Sequence, residues 1–134
     1  MKTKWHWLSL GLVLLILCSA SCKKENEIDI AQLVGKWSVY SDDPNLAIDG
    51  SEAYTFNTDK TCVISLYDYL SNWDTTMYRS YTVSYDSNVL TLFDEENTYV
   101  AQYYIRKLTS GEMVWENASL CSSMPNKKLR KQSE

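Results

Sequence analysis

From position 37 to position 116 the chain sets apolar and polar residues alternately in short runs, and each run ends in a cluster of Asp, Asn, Ser, Thr, Gly or Lys. A period of two sends successive side chains to opposite faces of an extended backbone. Short runs of that period, bounded by turn residues and free of any helical spacing, predict antiparallel β-structure. Trp37 and Val39 share a face in the run 37–40, Tyr54 and Phe56 in 53–57, and Cys62, Ile64 and Leu66 in 61–69. Further runs cover 78–85, with Tyr81, Val83 and Tyr85 on one side, 89–93, with Leu90 and Leu92, the long 98–108, and 113–116, with Met113 and Trp115. The connections are rich in residues that bond to their own backbone or fix a turn angle, as in Asp42-Asp43-Pro44-Asn45, Thr58-Asp59-Lys60, Asp86-Ser87-Asn88 and Thr109-Ser110-Gly111-Glu112. The polar segment 71–76 around Trp73 reads as an exposed turn. In 98–108, Tyr103 and Ile105 share a parity that Leu108 breaks, which predicts a bulge or a strand end buried on both faces.

A meander of this length must hide its edges, and closure into a barrel does so completely. The expected fold is therefore all-β: an antiparallel up-and-down meander closed into a small barrel, led by a short helical turn built on Ile28, Ile30, Leu33 and Val34. Irregular regions around Leu46 and Leu120 would raise the count to about eight strands. That is the size at which a barrel holds one small ligand. Asp94-Glu95-Glu96-Asn97 lacks the spaced oxygen ligands and central Gly of a calcium loop and reads as a turn, so no metal or cofactor is expected.

The N-terminus carries Lys2 and Lys4, then an apolar run over 10–17 and small residues, the order of a secretory signal. That run falls short of the roughly 20 residues that a helix needs to cross a bilayer. Ser19-Ala20-Ser21-Cys22 resembles the processing site of a bacterial lipoprotein, and the small Ala20 and Ser21 favour Cys22 over Cys18, which follows Ile16 and Leu17. The resemblance implies removal of 1–21, acylation of Cys22 with fatty chains such as palmitate, and a tether over 22–30. It further implies attachment to the outer membrane on its periplasmic face or at the cell surface. The barrel would span 31–121, and the basic segment 122–134 would be a disordered tail.

Cleavage would remove two of the 13 basic residues and none of the 17 acidic ones, leaving 11 against 17, a net charge of -6. Phosphate repulsion then argues against nucleic acid as a partner. The only histidine, His6, leaves with the signal, and the adjacent carboxylates Asp42-Asp43 and Asp94-Glu95-Glu96 lie in turns where neighbours diverge, so no enzymatic activity is expected. Cys62 and Cys121 would be left in an oxidising compartment, either as a disulfide or as two buried thiols. Asp74-Thr75-Thr76 resembles the acceptor motif for O-glycosylation in Bacteroidetes, with Thr75 as the modified residue.

Leu33-Val34-Gly35-Lys36-Trp37 resembles the Gly-x-Trp opening of lipocalins. The run from Tyr54 to Cys62 and that from Leu108 to Trp115 resemble the aromatic hairpin and the final hairpin of small lipocalin-like lipoproteins from gut Bacteroidetes. The resemblance implies a barrel whose Trp37 closes one end, covered by an arginine from a late strand, for which Arg106 is the nearest candidate. All ten tyrosines lie downstream of Cys22, and tyrosine suits a barrel wall that is apolar yet carries hydroxyls. Tyr54, Tyr81, Tyr85 and Trp115 have the parity of cavity-lining residues, and Trp73 could touch a ligand at the barrel mouth. The reading is a membrane-anchored barrel that binds a small apolar or amphipathic molecule. Its alternative is a non-catalytic interaction module whose barrel is filled by its own side chains. A cavity of about 300 Å³ or more would separate the two.

Overall fold

A computed structural model describes residues 28–43, 45, 50–119 and 125–133. The signal segment, Cys22, Leu46, Leu120 and Cys121 lie outside the described residues. The first of the described elements is a 3-10 turn, Ile30–Leu33, whose N-cap Asp29 accepts a hydrogen bond from the Ala31 backbone N–H at 3.0 Å. Eight strands follow: β1 Gly35–Tyr40, β2 Glu52–Phe56, β3 Thr61–Asp68, β4 Trp73–Ser84, β5 Val89–Phe93, β6 Tyr99–Leu108, β7 Glu112–Asn117 and β8 Lys127–Lys131. Each pairs antiparallel with the next, and β8 returns to pair with β1, closing the barrel.

Seven strands fall where the alternation of the sequence places them, and the eighth does not. Residues 127–131, expected within a disordered basic tail, form β8. Its register sets Leu129 opposite Val39 on one side and Met113 on the other, so its single apolar residue is fully buried. The inward positions beside it are lysines, which a hydropathy pattern cannot count as core. Lys131 Nζ lies 5.1 Å from the centre of the Trp37 ring and donates to the Gln32 carbonyl at 2.9 Å. The residue over Trp37 is therefore a lysine, Lys131, and not the expected arginine. Arg106 instead pairs with Glu116 at 2.6 Å and lies over the Tyr104 ring.

Four hairpin turns share one device. Lys60, Asn72 and Asn88, each directly before a strand, and Asn97, two residues before β6, occupy the left-handed region with φ between 52° and 69°. Three of the four are Asn, the residue type that tolerates this region best after Gly. In the β5–β6 turn, the Asp94 carboxylate accepts from the backbone N–H of Glu96 and of Thr98, at 2.9 and 2.8 Å. Its oxygens hold the turn. The parity break in β6 is a bulge: register shifts between Ile105 and Lys107, which brings Leu108 opposite the buried Met113. The polar segment 71–76 is not all turn, because β4 begins at Trp73, paired with Asp68.

The barrel is packed solid at the end where β1 begins. Leu33, Trp37, Phe56, Leu90, Met113 and Leu129 are essentially inaccessible there, and the Trp37 indole N–H donates to the Leu33 carbonyl at 2.8 Å. The 3-10 turn is thereby fastened across that end. Gly35 lies at the junction with φ +125°, and a Cβ built on it would sit 2.7 Å from Lys131 Cε. Gly35→Ala combines backbone strain with displacement of the lysine over Trp37. It is expected to lower the unfolding free energy by about 1–3 kcal/mol, measured by denaturant titration followed by tryptophan fluorescence.

Candidate functional site

The opposite end carries the connections after β1, β3, β5 and β7, and there the interior is not filled. Inward positions on β2, β3, β4, β5, β6 and β8 surround a half-open cavity of about 310 Å³. Tyr54, Ile64, Leu66, Met77, Leu92 and Ala101 form much of its wall. Its opening has a topological cause. Strand β4 pairs with β5 only over positions 80–84, so 73–79 has a strand partner, β3, on one side only. The β3–β4 hairpin therefore projects past its β5 neighbour and leaves the wall incomplete beside Met77 and Arg79.

Three charged side chains reach this space. Lys127 donates to both carboxylate oxygens of Glu52, at 2.7 and 2.8 Å, and this pair is mostly buried. The Tyr54 hydroxyl donates to the same carboxylate. Glu52 is therefore satisfied by a lysine and a phenol. Burial, with the adjacent Glu52 charge adding to it, drives the Tyr54 phenol far above its ordinary pKa. Tyr103, shifted by the same two causes in the same order, is pushed up to about 12. Both remain neutral donors at any ordinary pH.

Arg79 is the third. It sits directly across from the buried Cys62 in the β3–β4 register, which turns it inward. Its Nη1 donates to the Tyr78 carbonyl at 2.9 Å and its Nη2 reaches the Met77 sulfur at 3.4 Å, while its buried Nε has no hydrogen-bond partner in the protein. None of the ion pairs among the described residues includes Arg79.

The residues expected to line a cavity divide. Tyr54 lines it. Trp115 lies in the layer beneath, with its ring centre 4.9 Å from Tyr54 and 5.0 Å from Tyr103, and its indole Nε1 is buried without a partner. Tyr81 is also inward but belongs to the packed end, where its hydroxyl donates to the Asn57 carbonyl at 2.8 Å. Tyr85 does not line the interior. Strand β4 ends at Ser84, so the alternation stops before Tyr85, which is 72% exposed in the following turn. Trp73, at the projecting tip of the β3–β4 hairpin, is 54% exposed, with Tyr69 and the fully exposed Leu70 nearby. Thr75 lies two positions before Met77 in β4 and is half-buried. Glu52, Arg79, Lys127 and Tyr103 were not singled out from sequence, although Arg79 stands at period two between Met77 and Tyr81.

Cys62 is a free thiol buried in the core, and its expected partner, Cys121, lies outside the described residues. Its inward direction on β3 points it at the barrel interior. Burial raises its pKa to about 12, opposed by the Arg79 charge.

No protein-family profile matches this chain, and no curated protein does. Among solved structures, the chain resembles the NMR structure of a protein from Bacteroides uniformis, with a TM-score of 0.63 and 39% sequence identity. The likeness covers 80% of this chain and 94% of that one.

Two outcomes follow from the site's electrostatics. Replacing Lys127 by Met strands the Glu52 carboxylate and should cost about 3 kcal/mol in denaturant unfolding, whereas the double replacement with Glu52→Gln should recover most of that loss. The Cys62 thiol ionises near 8.5 when unfolded and near 12 when folded. Below the first value both states are protonated and the thiol adds no pH dependence. Between the two values the unfolded state has lost a proton that the native state keeps, so stability falls as pH rises. The slope from this group is about 1.4 kcal/mol per pH unit, read as the difference between wild type and Cys62→Ala in melts from about pH 9 to 10, mostly below the ionisation of unfolded tyrosines. Over the same range the Cys62 peptide should resist alkylation until the protein unfolds.

Proposed function

This chain belongs to the same family as the Bacteroides uniformis protein, and from that premise we propose that it is a lipid-anchored protein of the bacterial cell envelope whose lipocalin-like barrel binds a small apolar or amphipathic molecule. The cavity of about 310 Å³ carries this reading. It reaches the lower bound of small-molecule sites, is walled mainly by aliphatic and aromatic side chains, and holds a few fixed polar groups. A barrel serving only as a scaffold gains nothing from an unfilled half, since each void forfeits packing contacts.

The anchoring part of the proposal rests on the small residues before Cys22 and the apolar segment preceding them. The fold gives it a sensible geometry. The first described residues, from Ile28, enter at the packed end beside Asn88 and Ile105, opposite the cavity. A tether leaving that end lets the cavity face away from the bilayer.

Native mass spectrometry of the protein purified from its own host tests both parts. The expected spectrum shows an acylated Cys22 as the mature N-terminus and a fraction carrying one co-purifying small molecule. An unmodified N-terminus would refute the anchor. Failure to bind any apolar small molecule, either co-purified or added, would refute the binding role.

A further inference from the structure

Resting on the binding role just proposed, we infer that the ligand is an apolar anion, a molecule with an aliphatic body and a single carboxylate, and that Arg79 is the residue that selects it. The cavity has an imbalance of both charge and hydrogen-bonding capacity. Of its three charged side chains, Glu52 and Lys127 neutralise one another at 2.7 Å. The Arg79 guanidinium is left as the uncompensated charge. A guanidinium at the mouth of an apolar cavity, with its Nε buried and unpartnered, is matched best by an anion that joins it there.

The donor count gives the same answer. Arg79 Nε is a buried donor without an acceptor in the protein. The Glu52 carboxylate already accepts from Lys127 through both oxygens and from Tyr54 through one. The present partners of Arg79 are a backbone carbonyl and a thioether, both neutral, and the thioether is a weak acceptor. The site therefore lacks a charged acceptor, and a carboxylate brings two oxygens in the plane that a guanidinium prefers.

The rest of the ligand is set by the walls. Ile64, Leu66, Met77, Leu92 and Val100 are aliphatic, so the body that occupies the space beside Arg79 is aliphatic too. At roughly 30 Å³ for a water-sized group, the volume admits on the order of ten non-hydrogen atoms. This favours a medium-chain acid over a long-chain lipid. Arg79 lies where β4 has no β5 partner, so the carboxylate can sit at the opening with the chain pointing inward.

Isothermal titration of the protein purified from its host and stripped of small molecules separates the possibilities, with decanoate, 1-decanol and decyltrimethylammonium as probes. Decanoate should bind at least about tenfold more tightly than decanol, as expected for a charge-assisted hydrogen bond, and the ammonium should bind most weakly. Arg79→Met should remove the preference for decanoate over decanol. Because the substitution removes an unpaired buried donor, its ligand-free melting temperature should equal or exceed that of the wild type. Equal binding of decanoate and decanol by the wild type would overturn the role of Arg79 while leaving a binding barrel in place. So would a preference that survives in Arg79→Met. Absence of binding by every probe would overturn this inference together with the binding role on which it rests. The three-probe ranking on the wild type stands whether or not the variant folds.

Discussion

The pairing of β8 with β1 is the contact on which the rest of the structure depends. Without it β1 and β8 are open edges, and the interior that the strands enclose is exposed along a seam. The seam is held by more than ladder hydrogen bonds. Leu129 fills the space between Val39 and Met113, and at one end Lys131 reaches over the Trp37 ring to the Gln32 carbonyl. At the other end Lys127 crosses the interior to Glu52 on β2. One short strand thus ties the packed end and the open end of the barrel to different neighbours.

This closure divides the interior into unlike halves. Beneath Trp115 aromatic rings meet edge to face, as with Phe56 against Tyr81 at 5.1 Å, and the inward side chains there are essentially inaccessible. Above it the inward residues are shorter or carry charge, and the wall is incomplete because β4 outruns β5. Tyrosine is useful at the boundary. Tyr54 supplies a large apolar body to the packing and a hydroxyl to Glu52, so the transition from dry core to polar cavity occurs within single side chains.

Much of this was legible in the sequence, for reasons that particular residues make plain. Strands whose inward positions are apolar, such as Tyr54 and Phe56 or Leu90 and Leu92, announce themselves by alternation. The Leu108 parity break announced the bulge. What stayed hidden was every place where an inward position is charged. Lys127, Leu129 and Lys131 alternate with the correct period, yet two of the three are lysines whose burial depends on Glu52 and Trp37, far away in sequence. Arg79 was hidden for the same reason. Tyr85 erred in the opposite sense: its residue type and parity fitted a strand that had already ended.

A barrel with one sealed end and one receptive end is distinguishable by methyl-resolved NMR during titration with decanoate. Shifts are expected in Ile64, Leu66, Met77, Leu92 and Val100, with Leu33, Leu90 and Leu129 unmoved at the sealed end. Shifts spread evenly through both halves, or confined to side chains on the outer surface, would contradict it.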